Sequence, residues 1–182
     1  MLMERDDLDL VTDMLAGDAD AFEQLLSRHY DLIFRLAYRL LGAKDAAEDL
    51  TQDICASLPT RLTSFRREAK FTTWLYRVVN NAAIDQLRRK KSQTKAADGW
   101  GDVERDRQAI AAEQTANRIW LDQAMNSLND EHRQTLALTL GEGLSHAEAA
   151  EVLGVSEGTI SWRMSEIKKA LKRLHEEEER LT

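Results

Sequence analysis

Apolar residues return every three or four positions through most of the first 90 residues, the spacing of one buried helix face. A short helix is predicted from about Asp6 to Ala16, with Gly17 as its stop. Asp20 then opens a longer one, and Glu23 three residues on completes a capping-box pattern. Its core stripe runs Phe22, Leu25, Leu26, Ile33, Phe34, Ala37, Leu40 and Leu41, and Gly42 ends it. A third helix covers about Ala43 to Leu58, closed by Pro59. Its inner line is Ala47, Leu50, Ile54 and Leu58; its outer line is Asp45, Asp49, Gln52, Asp53 and Ala56. The fourth, Phe71 to Lys91, turns Leu75, Val78, Val79, Ala82 and Gln86 inward and completes a bundle.

From Ser92 the pattern dissolves. SQTKAADGWGDVERDRQ has no apolar period, mixed charge and a Gly on either side of Trp100, so it reads as a flexible tether. Trp100 is either a docking anchor or an incidental exposed ring. Helix returns from about Ala109 to Ser127, then from Asp130 to about Gly141, then in two short pieces. The predicted class is all-α, with two small helical domains over 1–93 and 111–182 and a linker over 94–110.

The two short pieces have the form of a helix-turn-helix. Ser145 caps the first, with Glu148 in the capping-box position and Ala149, Val152 and Leu153 as its core face. Gly154-Val155-Ser156 makes the turn, and Ser156 caps the second helix. Ile160, Met164, Ile167, Leu171 and Leu174 face inward there, leaving Ser161, Trp162, Ser165, Glu166 and Lys169 on the side where a recognition helix meets base edges. A helical hairpin used only for packing is the plainer alternative.

Composition narrows the class. Aromatic content of 6%, charged content of 31%, one Pro and eight Gly suit helices throughout. The acidic N-terminus MLMERDDLDL is unlike a secretory leader, and no apolar run has the length of a membrane span. A single cysteine, Cys55, allows no internal disulfide and fits a reducing cytoplasm; it reads as a small buried thiol. His29, His132, His146 and His175 stand singly without metal-ligand spacing, and no phosphate loop or nucleophile motif occurs. No metal, cofactor, small-molecule substrate or catalytic residue is therefore expected.

Net charge of −7 argues against a polyanion partner until it is divided along the chain. Residues 61–91 carry nine Lys or Arg against two acids, and residues 157–174 carry five against two. Two basic islands in an acidic chain fit two polyanion contacts, with the acidic remainder limiting non-specific binding. The first island holds Arg77, Asn81, Asp85 and Arg88 on one line of a helix, with Trp74 and Tyr76 near its start and Arg88 to Lys91 at its end. Rings stack bases, an amide reads an exposed base edge and cations hold phosphates, a set suited to one unpaired strand. An ordinary amphipathic helix with a basic end accounts for the same stretch.

Four segments in order (AFEQLLSRHYDLIFRLAYRLLG, AEDLTQDIC, FTTWLYRVVNNAAIDQLRR and LSHAEAAEVLGVSEGTISWRM) resemble the sigma-70 family of RNA polymerase sigma factors, in its extracytoplasmic-function (ECF) group. The resemblance spans nearly everything outside the linker and the acidic tail. It implies a transcription initiation factor whose partners are core RNA polymerase, through the β′ clamp helices and the β subunit, promoter DNA and an anti-sigma factor. Asp49, Gln52 and Asp53 would dock on the clamp helices. Lys70, Trp74, Arg77, Asn80, Asn81, Asp85, Arg88 and Arg89 would engage the opened −10 element, Asn81 standing where the family places a base-contacting Asn, with Asn80 beside it. Ser156, Thr159, Ser161, Trp162, Arg163, Ser165, Glu166 and Lys169 would face the −35 duplex.

The energetics require a larger partner. Opening roughly ten base-pair steps costs on the order of 14 kcal/mol at about 1.4 per step. Stacking returns only about 1–3 kcal/mol per captured base. Promoter elements about 25 base pairs apart lie roughly 85 Å from each other, whereas a relaxed 20-residue linker spans about 25 Å. The sequence also departs from the family: where more Lys or Arg is usual after Gly158-Thr159-Ile160, Ser161, Trp162 and Glu166 intervene, which implies an unusual −35 preference. A duplex-binding regulator that works without polymerase would explain the helix-turn-helix, but not the face of Asp49, Gln52 and Asp53 or the aromatic-Asn-basic helix.

Overall fold

A computed structural model describes residues 5–97, 123–125 and 127–181. Trp100 and most of the helix expected from Ala109 to Ser127 lie outside them. Every regular element among the described residues is helical. Helix α1 (Asp7–Leu15) is capped by Asp6, whose carboxylate accepts the Asp9 N–H at 2.7 Å. It ends at Gly17, where φ of 100° suits glycine.

Helix α2 (Ala19–Leu41) starts one residue before the expected Asp20, and its cap is Asp18, not an Asp20–Glu23 box. Asp18 stands just outside the helix in extended backbone and accepts the N–H groups of Asp20 and Ala21, so Asp20 is already inside the first turn. The Ala21 N–H is also the main reason that the Asp18 carboxyl lies below its ordinary pKa. Gly42 closes α2 in the left-handed conformation, φ 72°.

Helix α3 (Lys44–Leu62) runs through Pro59 for a further turn instead of stopping there. Proline lacks only one donor, and the extra turn brings Leu62 into the core, where it is fully buried. Helix α4 (Phe71–Ala97) likewise continues past Lys91 into the stretch expected to be linker. Ser92 to Ala97 contains no Gly or Pro, so nothing local stops the helix before Gly99.

The core of this first unit is built on α2, which packs on α1, α3 and α4. Leu25, Ile33, Leu36 and Leu40 of α2 meet Ile54 and Leu58 of α3 and Leu75 and Val79 of α4, all buried. The inner line expected of α3 is buried throughout, and that of α4 is buried or half-buried.

In the second unit, residues 123–125 are helical, and α5 (Asp130–Leu136) follows, capped by Asn129, which accepts the His132 N–H. A single π-helical turn, Ala137–Gly141, follows it. Helix α6 (His146–Leu153) has both halves of the capping box between Ser145 and Glu148, and Gly154 (φ 66°) ends it. Helix α7 (Glu157–Leu181) is one long helix rather than a short piece. Ile160, Met164 and Ile167 anchor its first half in the core. Beyond Leu174 it is polar, with the i,i+4 pair Lys172–Glu176 at 3.6 Å.

The two units pack together, α6 against α4 and the π-helical turn against α2. Arg133 is buried and its guanidinium reaches the Leu40 carbonyl at 3.5 Å, at the C-terminal end of α2 where a cation opposes the helix dipole.

Candidate nucleic-acid interface

Three polar faces follow from this packing. On α3, Asp45, Asp49, Gln52, Asp53 and Ala56 are all exposed, because the 3.6-residue period puts them opposite Ala47, Leu50, Ile54 and Leu58. Asp49, Gln52 and Asp53 have no side-chain hydrogen bond or ion pair among the described residues. They form an exposed, acidic edge.

On α4 the expected residues separate. Asn81, Asp85, Arg88 and Arg89 are exposed on successive turns, and Lys70 is exposed just ahead of the helix. Trp74 is half-buried, its ring 5.4 Å from Phe65 and 5.8 Å from Phe71, so this aromatic cluster fixes the indole at the margin of the face. Arg77 is engaged by the second unit, its Nε and Nη2 donating to the Glu151 carbonyl at 3.2 and 2.6 Å.

Two side chains expected near DNA are withdrawn from this face. Asn80 is 3% exposed, on the side of α4 that buries Tyr76, Ala83 and Ile84; of the adjacent amides only Asn81 meets solvent. The Asn80 Oδ1 is buried without a hydrogen-bond partner among the described residues. Tyr76 is buried as well, with its hydroxyl 3.4 Å from a Glu142 carboxylate oxygen, so its ring is not available for stacking. Burial raises the Tyr76 pKa, although Arg35 and Arg39 oppose the shift.

On α7, Ser156, Ser161, Trp162, Ser165 and Lys169 are exposed and Thr159 is half-buried. Ser156 caps the helix by accepting the Thr159 N–H at 3.1 Å. Trp162 is 59% exposed and rests near the His132 ring, centroids 6.3 Å apart. His146 Nδ1 lies 2.9 Å from Ser161 Oγ, tying α6 to the outer face of α7. Glu166 accepts from Lys169 at 2.7 Å, and that contact holds its carboxyl below the ordinary pKa. Arg163, expected at the DNA, is instead 7% exposed and donates to Glu131 at 2.7 Å. Its position three residues after Ile160 and one before Met164 carries it over the inward side of the helix.

The ion-pair system between the units was not foreshadowed by any motif. Glu142 accepts from Arg35 at 3.1 Å and from Arg39, with Tyr76 beside them. At the far end of α4, Lys91 meets Asp130 at 2.7 Å. Cys55 is half-buried, and desolvation pushes its thiol pKa up, which suits packing rather than reactivity. Among the described residues no cluster of His, Cys, Asp and Glu could hold a metal ion, and no helix is long and apolar enough to cross a membrane.

Comparison with known proteins gives consistent matches. The family model for Sigma-70 region 2 matches residues 25–93, and that for Sigma-70 region 4 matches residues 124–176. The ECF RNA polymerase sigma factor SigM of Mycobacterium tuberculosis is 36% identical over 171 residues, 94% of this chain and 85% of the relative. The ECF RNA polymerase sigma factor SigW of Bacillus subtilis is 30% identical over 170 residues, 86% of this chain and 90% of the relative. In fold, the chain is similar to the sigma factor RpoE of Bartonella quintana, solved with the anti-sigma factor NepR: TM-score 0.67 at 24% identity, over 85% of this chain and 96% of that one.

Proposed function

The chain belongs to the ECF group of the sigma-70 family of RNA polymerase sigma factors, and on that premise we propose the following division of labour among its faces. It is a transcription initiation factor that directs core RNA polymerase to promoters and is held in check by an anti-sigma factor, the class of partner on RpoE of Bartonella quintana. It works in the cytoplasm. Its first domain covers 1–93, its linker 94–110 and its second domain 111–182, the helical continuity of α4 to Ala97 making the start of the linker stiff.

The acidic edge of Asp49, Gln52 and Asp53 docks on the β′ clamp helices of core polymerase, and the second domain meets the β subunit. Exposed polar groups without partners are cheap to desolvate only against complementary cations and donors, which favours a basic helical partner. The face of α4 captures the non-template strand of the opened −10 element. Asn81 reads a base edge, Trp74 stacks or wedges at the margin, and Lys70, Arg77, Arg88 and Arg89 hold phosphates, with Asp85 a polar neighbour to the bases. On α7, Ser161, Trp162, Ser165, Glu166 and Lys169 meet the −35 major groove, while Ser156 and Thr159 seat the helix start against the backbone. Asn80 and Arg163 shape these faces from beneath rather than touching DNA.

The observation that carries this reading is the exposed line of Asn81, Asp85 and Arg88 on α4, one helix away from the unpartnered acidic edge of α3. Run-off transcription with core enzyme over a promoter library tests it. The purified chain should direct initiation from a restricted set of promoters, and replacing Asn81, Trp74 and Arg88 together with Ala should lower the yield by at least about 100-fold, from stacking worth about 1–3 kcal/mol per base plus the lost amide and phosphate contacts. No initiation from any promoter, or full activity in the triple variant, overturns it.

A further inference from the structure

Two residues on the outer face of α7 are poor base readers unless something fixes them. A serine hydroxyl is donor and acceptor at once, so a free Ser161 accepts either kind of base edge. The Trp162 indole is 59% exposed, and a ring in solvent keeps the freedom of several rotamers. Fixing such groups before binding lowers the ordering cost that DNA contact must meet. Among the described residues, the side-chain hydrogen bond of Ser161 and the ring contact of Trp162 both go to histidines outside α7.

The two histidines come from different helices. His146, the first residue of α6, places Nδ1 2.9 Å from Ser161 Oγ. That bond uses one of the two roles of the hydroxyl and leaves the other for a base. His132, on α5, sets its ring edge-on to Trp162, with centroids 6.3 Å apart and planes at 63°, an arrangement aromatic pairs favour. Lys169 first and Arg173 next hold the Glu166 carboxyl below its ordinary pKa, and His132 adds a smaller attraction, so its ring lies among the outer-face residues.

Neither histidine belongs to the core. Both are half-buried, while the inward side of α7 is held by Ile160, Met164 and Ile167 and by Arg163 on Glu131. Their footing is firm. Asn129 caps α5 by accepting the His132 N–H at 2.8 Å, and Ser145 caps α6 directly before His146.

We propose that His132 and His146 are positioning residues for −35 recognition, His132 orienting the Trp162 indole and His146 committing the Ser161 hydroxyl to one hydrogen-bonding role. The base preference of α7 is then set partly from α5 and α6. This rests on α7 being the −35 reader.

Run-off transcription by the full chain with core polymerase, over promoters randomised in the −35 element, reads preference position by position. Urea unfolding monitors stability beside it. Trp162→Ala and Ser161→Ala identify the base pair that each side chain reads. His132→Ala should lower preference at the Trp162 base pair by about fivefold, the scale of an aromatic pair. His132→Phe, which keeps a ring, should restore it. His146→Ala should lower preference at the Ser161 base pair by about threefold, the scale of one hydrogen bond. His146→Asn, which keeps a polar atom near the place of Nδ1, should restore it. Each alanine change should be non-additive with that of its own partner and additive with the other pair. A merely structural histidine would lower stability and output at all promoters alike, without singling out one base pair. Unchanged preference in either histidine-to-alanine variant, a loss that the Phe or Asn variant does not rescue, or additivity within a pair overturns the proposal. If preference is indifferent to Trp162→Ala and Ser161→Ala, the −35 reading of these residues falls and the proposal with it. If it responds to those two and not to the histidines, the proposal falls alone.

Discussion

Helices α4 and α7 both carry cations in a chain that is acidic elsewhere, and they use their arginines in opposite ways. On α4 the arginines stay on the surface: Arg88 and Arg89 are exposed, and Arg77 is only partly covered, by a contact from another domain. On α7 the one arginine in the first two turns, Arg163, is turned inside and joined to Glu131 of α5, leaving serines, a tryptophan and a Glu–Lys pair on the outer face. On the proposed reading, exposed cations on α4 would hold the phosphates of a flexible single strand. On the same reading, α7 would enter a groove in one register, and the Arg163–Glu131 pair fixes it to its own domain. The difference teaches that a count of cations on a helix measures neither contact nor role; position relative to the buried stripe decides both.

The sharpest way to break this contrast is Arg163→Ala. Its partner Glu131 is 65% exposed and can be rehydrated, so the loss falls on the buried guanidinium, its packing and its charge-assisted bond. Unfolding in urea should show about 2 kcal/mol of destabilisation, while −35 duplex affinity measured well below the transition changes little. Loss of DNA affinity with unchanged stability would place Arg163 back at the groove.

A smaller effect is expected from Glu166→Arg. Swapping an acceptor that suits a cytosine amino group for a donor that suits guanine should change the favoured −35 base pair at one position, by about tenfold in relative promoter strength. An unaltered preference across the promoter library would take Glu166 out of base reading. The same substitution should leave oligothymidylate binding by α4 as it was.

The smallest effect concerns the helix-turn-helix frame itself. The Glu148 carboxylate receives the Ser145 N–H and hydroxyl at 2.9 and 2.8 Å, which lowers its pKa from the ordinary 4.5. A depressed acid stabilises the fold above its unfolded pKa and stops doing so as pH falls through the folded one. Thermal midpoints of wild type and Glu148→Ala should therefore differ at neutral pH and converge at acid pH, below 4.5. A gap that persists undiminished there would show that the carboxylate charge is irrelevant to the cap.

Much of the fold could be read from the chain because its signals are local. Gly42 and Gly154 stop helices by adopting left-handed backbone, Ser145 and Glu148 form a capping box, and the outer line of α3 is exposed at every expected position. Local signals also failed where two neighbours competed for one job. Asp18 and Asp20 are both plausible caps, and only hydrogen-bond geometry chose the first. Pro59 promised an end, but the burial of Leu62 outweighed one missing donor. For Asn80 a signal was present, since Tyr76, Asn80 and Ile84 recur at four-residue spacing on a buried side. It was masked by a motif that places two amides side by side.

The all-helical class, the family and the order of the described helices followed from sequence alone, because periodicity, caps and motif order each span a few residues to a few turns. Where the second domain sits was decided only in three dimensions. Arg39 and Glu142 stand 103 positions apart and meet because a π-helical turn, a glycine and the end of α2 converge. Nothing within either segment specifies the other. Side-chain pairing across such a distance depends on which surfaces the folded domains present, and that is a property of packing rather than of pattern.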